Sequence, residues 1–432
     1  MKGSFAFCRA RVLTPAGLAL CLVLAPLFCS AGKQAGTGRL AEVRITGSAR
    51  FTSEQIAAAA GLRVGAQVGR DDFQKAADNL AKTGRFTNVQ YRYGDSDQGV
   101  RVEYQVADAP SLPVWFDNFP WFTDEELVQA LKASVPLFDG TAPEGGSVLD
   151  DISDALQLQI AKAGVHTTVS HILTTSPGSD ERIQQFRVDE AGLVVASIDF
   201  GDTLAQNDRG IHSRLPDLVG TKYSRAALVL FEFEQVRPLY LSHGLLRVRF
   251  PPPTAKVAGT SVQLAAPIDP GPAFTWRVPT WTGNTVLGAL ELATVVPLHD
   301  GDIADGMKIE RGWQAVEDAY ARKGYLDVNL STVPHFDDGA KTVTYSVAIT
   351  EGPQYHMGKL VLTGLSTEGE KRIRAAWKLA QGDVFDRAVY QEFILNGIRE
   401  SFAGMPFHYE KIGRFLQKDS TNATVDVLID FQ

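Results

Sequence analysis

The sequence predicts an α+β chain built from five tandem β-α-α-β-β modules. Each module is expected to hold a three-stranded mixed sheet with two helices on one face, and the five together an extended multi-domain arm. Three observations predict it. A glycine recurs every eighty residues, at Gly84, Gly164, Gly244, Gly324 and Gly404. In the clearest copies an amphipathic helical stripe precedes that glycine and an alternating run follows it. The motif V-P-L-x-D-G occurs twice, at Val135–Gly140 and Val296–Gly301, in otherwise diverged stretches. Fixed internal spacing of this kind is the signature of a repeat architecture.

The first module shows each element. Glu42–Thr46 alternates as a strand and stops at Gly47. Thr52 or Ser53 can cap a helix through Glu54–Ala60, which Gly61 ends because glycine tolerates the left-handed conformation. Asp71 or Asp72 opens a second helix in which Phe73, Ala77 and Leu80 fall on one stripe, and Gly84 ends it. Val89, Tyr91 and Tyr93 then alternate with Gln90 and Arg92. After a turn at Gly94-Asp95, Val100, Val102, Tyr104 and Val106 return as the second half of a hairpin.

The fourth module repeats this order, with Trp313, Val316 and Tyr320 on its second helix and a hairpin turned at Asp337-Asp338-Gly339. The fifth runs from Lys359–Thr363 through helices at Ile373–Leu379 and after Asp386 to a last strand, Thr424–Phe431. In the third, Leu245–Phe250 alternates and is followed by Pro251-Pro252-Pro253. Proline lacks the N–H that a ladder needs, so the strand is expected to end there. The expected modules are 39–108, 112–190, 192–272, 273–352 and 353–432.

Residues 1–31 stand apart as an expected signal peptide. Lys2, Arg9 and Arg11 precede the apolar run Ala16–Phe28, and small residues allow cleavage after Ala31. A retained anchor is the competing reading, though thirteen apolar residues broken by Pro26 are short for a bilayer. A lipoprotein is another, but Leu20 and Phe28 stand before Cys21 and Cys29 where a small residue is needed. All three cysteines (Cys8, Cys21, Cys29) fall in this leader, so the mature chain is expected to hold no disulfide and no thiol nucleophile.

The net charge of −8 and the lack of a Lys/Arg run argue against nucleic acid as a partner. The histidines do not gather: His166 and His171 point to opposite faces of a strand, and His299, His335 and His356 lack a carboxylate at ligand spacing. No metal, no cofactor and no catalytic constellation is expected, and the chain reads as a non-enzyme.

A module of about eighty residues with this element order, tandemly repeated behind a signal peptide, resembles the POTRA (polypeptide-transport-associated) domain. The match is closest in VRITGSARFTSEQI, GLRVGAQV, FQKAADNLAKTGRFTNVQYRY and VRVEYQV of the first module. It is strong in modules one, four and five and weaker in two and three. The resemblance is to the periplasmic part of BamA-type outer-membrane assembly factors without their C-terminal barrel. It implies a location in the periplasm, at most peripheral to the outer membrane, and a role in outer-membrane protein assembly or secretion beside a separate barrel protein. The partners it implies are unfolded outer-membrane or secreted polypeptides, bound by β-augmentation.

In such modules the strand after the second helix is the augmenting edge, which here means Asn88–Tyr93, His166–Leu173, Leu245–Phe250, Leu326–Val333 and Pro406–Lys411. The edge residues singled out are Val89, Gln90, Tyr91, Arg92, Arg247, Arg249, Val328 and Asn329. Leu246, Val248 and Phe250 are expected to face the core, leaving Arg247 and Arg249 outward for an acidic partner or for solvent. The alternative function is a structural spacer or division-type scaffold that binds no client.

Overall fold

A computed structural model of the chain describes residues 37–404 and 409–432. The expected leader with its three cysteines lies outside the described residues, as do residues 405–408. The described chain forms five small mixed sheets. It divides into two compact units, one running to Glu234 together with Pro252–Pro267, the other holding Gln235–Pro251 and Ile268–Gln432.

In the first compact unit, sheet one has the order β2-β1-β4-β3, with β1 Gly38–Thr46, β2 Gln67–Val68, β3 Phe86–Ser96 and β4 Gly99–Asp108. The central strand β4 runs parallel to β1 and antiparallel to β3. Sheet two repeats that order as β6-β5-β8-β7, with β5 Leu112–Asp117, β6 Thr141–Ala142, β7 Val169–Thr175 and β8 Arg182–Val188. Sheet three is β10-β11-β9, with β9 Val194–Asp199, β10 Thr254–Ala258 and β11 Ser261–Ala265.

Local chemistry sets the helices of sheet one. Thr52 caps Ser53–Ala60, accepting from the Gln55 amide at 3.3 Å while Gln55 returns a bond to the Thr52 amide at 2.9 Å. The next helix, Arg70–Lys82, begins at Gly69, whose N–H is taken by the Asp72 carboxylate. Phe73, Ala76, Ala77 and Leu80 bury one face of that helix against Val100, Val102 and Tyr104 of β4. This core is continuous with that of sheet two, where Leu127, Leu131, Ile152 and Leu156 cover Phe186 and Val188.

In the second compact unit, sheet four places β15 Thr342–Thr350 at the centre. Its flanks are β14 Asn329–Asp337 and a first strand split into β12 Thr275–Trp276 and β13 Thr280–Thr282. Pro279 lies in the split, where a missing N–H interrupts pairing. Sheet five is β16-β18-β17, with β16 His356–Thr363, β17 Ile412–Asp419 and β18 Thr424–Phe431. Val425, Val427, Ile429 and Phe431 alternate inward on β18 beneath the helices Thr367–Ala376 and Arg387–Glu392.

Two joints within this unit are built alike. The Phe274 amide donates to the Gly244 carbonyl at 2.9 Å, and the Tyr355 amide donates to the Gly324 carbonyl at 2.8 Å. Ile303 packs on the first glycine and Val384 on the second. The helix-ending glycine of one module thus seats the first strand of the next.

Several expectations need correction. The first hairpin turns at Asp97-Gln98, because Gly94 and Asp95 still pair with Arg101 and Val100 inside β3. The second edge strand starts at Val169 rather than His166, and the helix expected over Ile373–Leu379 stops at Ala376. Leu245–Phe250 is not a strand: its only ladder contact is an isolated bridge from Arg249 to Asp269, and Leu246, Val248 and Phe250 are half-buried rather than core. The third hairpin comes after the three prolines, as β10 and β11. In the fifth module Tyr409–Lys411 is not strand, and the edge strand β17 starts at Ile412. The second helix near residue 232 and the one near residue 393 each pass through a π-helical stretch, Glu232–Val236 and Phe393–Gly397.

Candidate functional site: the open sheet edges

The five sheets share an asymmetry between their two edges. At the first-strand edge the turn between the two helices returns to seal the strand. Leu40 donates to the Ala66 carbonyl at 2.8 Å and accepts from the Gly65 amide at 2.7 Å. The same reciprocal pair joins Val195 to Thr221 and Gly220, Trp276 to Asp302 and Gly301, and Met357 to Asp383 and Gly382. In sheet two β6 does this work against Leu112 and Pro113. Each sealing turn carries a glycine at positive φ, namely Gly65, Gly140, Gly220, Gly301 and Gly382. That backbone conformation is strained for other residues.

The opposite edge carries no such turn. β3, β7, β10, β14 and β17 each pair with one strand among the described residues. Each is the strand that follows the second helix. An edge strand aims alternate N–H and C=O groups away from its sheet.

The residues singled out from sequence fall unevenly on these edges. Val89 and Gln90 are half-buried on β3. Tyr91 is buried, stacked on Tyr104 at 5.7 Å, with its hydroxyl 3.1 Å from Gln74 Oε1. Arg92 lies opposite Glu103 and pairs with it at 2.7 Å. Asn329 opens β14 and is exposed, whereas Val328 precedes the strand and packs on the core of sheet four.

Arg247 and Arg249 point outward but off any strand. Arg247 pairs with Asp338 at 2.9 Å and lies over the Phe336 ring, and Arg249 pairs with Asp269 at 2.5 Å. Both guanidiniums therefore have acidic partners within the chain. The five helix-ending glycines have φ between 75° and 85°. At Gly84 a second constraint applies, since a Cβ there would meet the Gly145 carbonyl oxygen at 1.7 Å.

A buried ionic group beside sheet two was not legible in sequence. Arg225 sends both terminal nitrogens to Asp124, at 2.6 and 2.8 Å, donates to the Phe116 carbonyl and stacks on Trp115. Asp117 accepts from the Ala226 amide, and burial raises its pKa above the usual carboxylate value. Glu232, only 3% exposed, is pushed up to about 7 by burial, with the Arg225 charge opposing the shift. Between sheets one and two, buried Arg85 donates to the Thr141 carbonyl at 2.6 Å. Burial lowers its pKa to about 10 despite the Asp139 charge. None of these contacts has a local sequence signal, because the partners lie tens of residues apart.

Among the described residues there is no cluster of three His, Cys, Asp or Glu side chains able to hold a metal. No helix there is long and apolar enough to cross a membrane.

Small mixed sheets alternating with helical segments along one chain define a tandem α+β repeat protein. Residues 38–108 and 280–352 match the family model POTRA, described as "Surface antigen variable number repeat". The chain carries POTRA domains at these two places. A curated relative from Treponema pallidum (strain Nichols), named "Putative outer membrane protein assembly factor", is 26% identical over 135 residues. That match takes in 31% of this chain and 16% of the relative, so the chain spans a small part of that protein's length.

Among solved structures, BamA POTRA3-5 of Haemophilus influenzae is 18% identical with a TM-score of 0.42, over 56% of this chain and 96% of that one. The N-terminal domain of Omp85 from Thermosynechococcus elongatus is 11% identical with a TM-score of 0.23, over 91% of this chain and 97% of that one.

Proposed function

We propose that the chain is a non-catalytic periplasmic polypeptide-binding array that works in outer-membrane protein assembly or secretion beside a barrel protein. The observation that carries this reading is the edge asymmetry: every sheet seals one edge with its own backbone and leaves the same opposite strand open. An extended polypeptide adds to that strand by main-chain hydrogen bonds, which need no particular side chain. Each bond contributes about 0.5–1.5 kcal/mol net, so one edge holds a client weakly. Five edges on one chain raise the effective concentration for a second contact and permit transfer from edge to edge. The POTRA matches and the name of the Treponema relative support the assembly role. The modules are taken as 39–108, 112–190, 192–272, 273–352 and 353–432.

Photo-crosslinking side chains placed at Asn329 on the open β14 and at Thr275 on the sealed β12 provide the test. In envelope extract, adducts with unfolded outer-membrane proteins are expected at Asn329 and not at Thr275. Equal labelling at both positions, or none at Asn329 with purified unfolded barrel protein, sinks the reading. The repeated joints at Gly244 and Gly324 favour a second role as a spacer, and an array that shows no open-edge adducts would be left with that role.

A further inference from the structure

We propose that a groove at the mouth of β10 is a pocket for a cationic side chain, lysine or arginine, carried by the extended polypeptide that adds to this strand. The inference rests on the β-augmentation reading above and specifies its client at one edge.

The groove has a volume of roughly 260 Å³. Trp121, Phe122, Tyr223, Pro253 and Ala255 are among the residues that line it. β10 and β11 are joined by the two-residue loop Gly259-Thr260, with Ala258 opposite Ser261. Residues flanking such a loop form a hydrogen-bonded pair, and pairing alternates along the strand. Thr254 and Lys256 therefore bond inward to β11, while Ala255 and Val257 direct their backbone groups to the open side. A guest strand bonded at Ala255 is at the groove.

Charge decides which side chain suits it. The lining holds three carboxylates, of Asp124, Glu125 and Glu126, and one guanidinium, of Arg225. Arg225 is committed to Asp124 through two hydrogen bonds. Glu126 accepts from the Thr123 amide at 2.8 Å as a helix cap, a bond that leaves its charge in place. Glu125 is exposed and has no ion pair among the described residues. The groove thus carries an excess of two negative charges beside aromatic rings. Carboxylate and ring face together favour a cation over a neutral or acidic group.

The test uses three extended nonapeptides that differ only at the central residue, Lys, norleucine or Glu, added to the full chain. Amide exchange of Thr254–Ala258 reads occupancy of this edge apart from the other four. The Lys peptide is expected to bind about fivefold to tenfold more tightly than norleucine, with Glu weakest and the preference shrinking as salt rises. Glu125→Lys brings the groove to neutrality and should abolish the separation of the Lys and Glu peptides, and Glu125→Gln should reduce it.

Equal protection by Lys and norleucine, or a Lys–Glu separation unchanged in Glu125→Lys, overturns the pocket while leaving augmentation intact. A Lys peptide N-methylated at alternate amides tests augmentation itself. If it protects β10 as well as its parent does, or if no peptide protects β10, augmentation at this edge fails and the pocket fails with it.

Discussion

Gly84 lies against Gly145 so closely that one methyl group would not fit between them: a Cβ at 84 would stand 1.7 Å from the Gly145 carbonyl oxygen. The contact joins the end of the Arg70–Lys82 helix to the start of Val148–Lys162, and the Ser147 amide donates to the Lys82 carbonyl beside it. Gly84→Ala should therefore cost more than the ~1–2 kcal/mol of left-handed strain alone, because backbone must also move. Gly164 has φ of 79° and no neighbour within 4 Å, so Gly164→Ala should cost only that strain. The two variants compared in urea unfolding check the difference, and equal midpoints would remove the packing role of Gly84.

Glu232 makes stability depend on pH near neutrality. Its folded pKa, about 7, lies above the 4.5 of an unburied glutamate because burial disfavours the charge. The folded state holds its proton more tightly, so its contribution is full below pH 4.5 and is lost as pH rises through 7. The loss is of the order of 3 kcal/mol. Glu232→Gln should be more stable than the parent at pH 8 and close to it at pH 4, as read by melting temperature across that range.

Arg225 holds its partner by geometry as well as charge. A planar fork gives two bonds to Asp124 and one to the Phe116 carbonyl, which an ammonium cannot reproduce. Arg225→Lys should destabilise by roughly 1–2 kcal/mol. Arg225→Ala should cost about 3–5, since Asp124 and buried Asp117 lose their compensating charge. Chemical denaturation of the three proteins checks the order, and a lysine variant as stable as the parent contradicts it.

Arg85 predicts the opposite outcome. Its Nε and Nη1 are buried without a hydrogen-bond partner, and Asp139 already has Arg50 as its direct ion-pair partner. Arg85→Met keeps the volume and removes a poorly satisfied charge, so stability should stay the same or rise by ~1–4 kcal/mol. Asp139→Asn should be destabilising in the same assay, as it leaves Arg50 and Arg85 without their shared carboxylate.

Much of the fold is legible along the chain because local rules set it. The helix-ending glycines, the Thr52 cap, the alternation of Val100–Val106 and the final strand Thr424–Phe431 all depend on neighbours in sequence. The third module misleads for a physical reason. Leu246, Val248 and Phe250 alternate like a strand, yet the true edge strand reads Thr-Ala-Lys-Val-Ala, short and weakly apolar. Three prolines before it look like a terminator, but proline is equally tolerated at the entry to an edge strand. Arg247 likewise has its acid supplied by Asp338, ninety-one residues further on, a distance that no pattern reports.

The sealing turns also limit what the chain can do with copies of itself. A sheet open on both sides can be extended indefinitely, which is the route to fibrils. Here Gly65, Gly140, Gly220, Gly301 and Gly382 each help shut one side. Two such sheets meeting edge to edge stop at a pair, so no single sheet can grow into a continuous fibril, and five glycines help to set that limit.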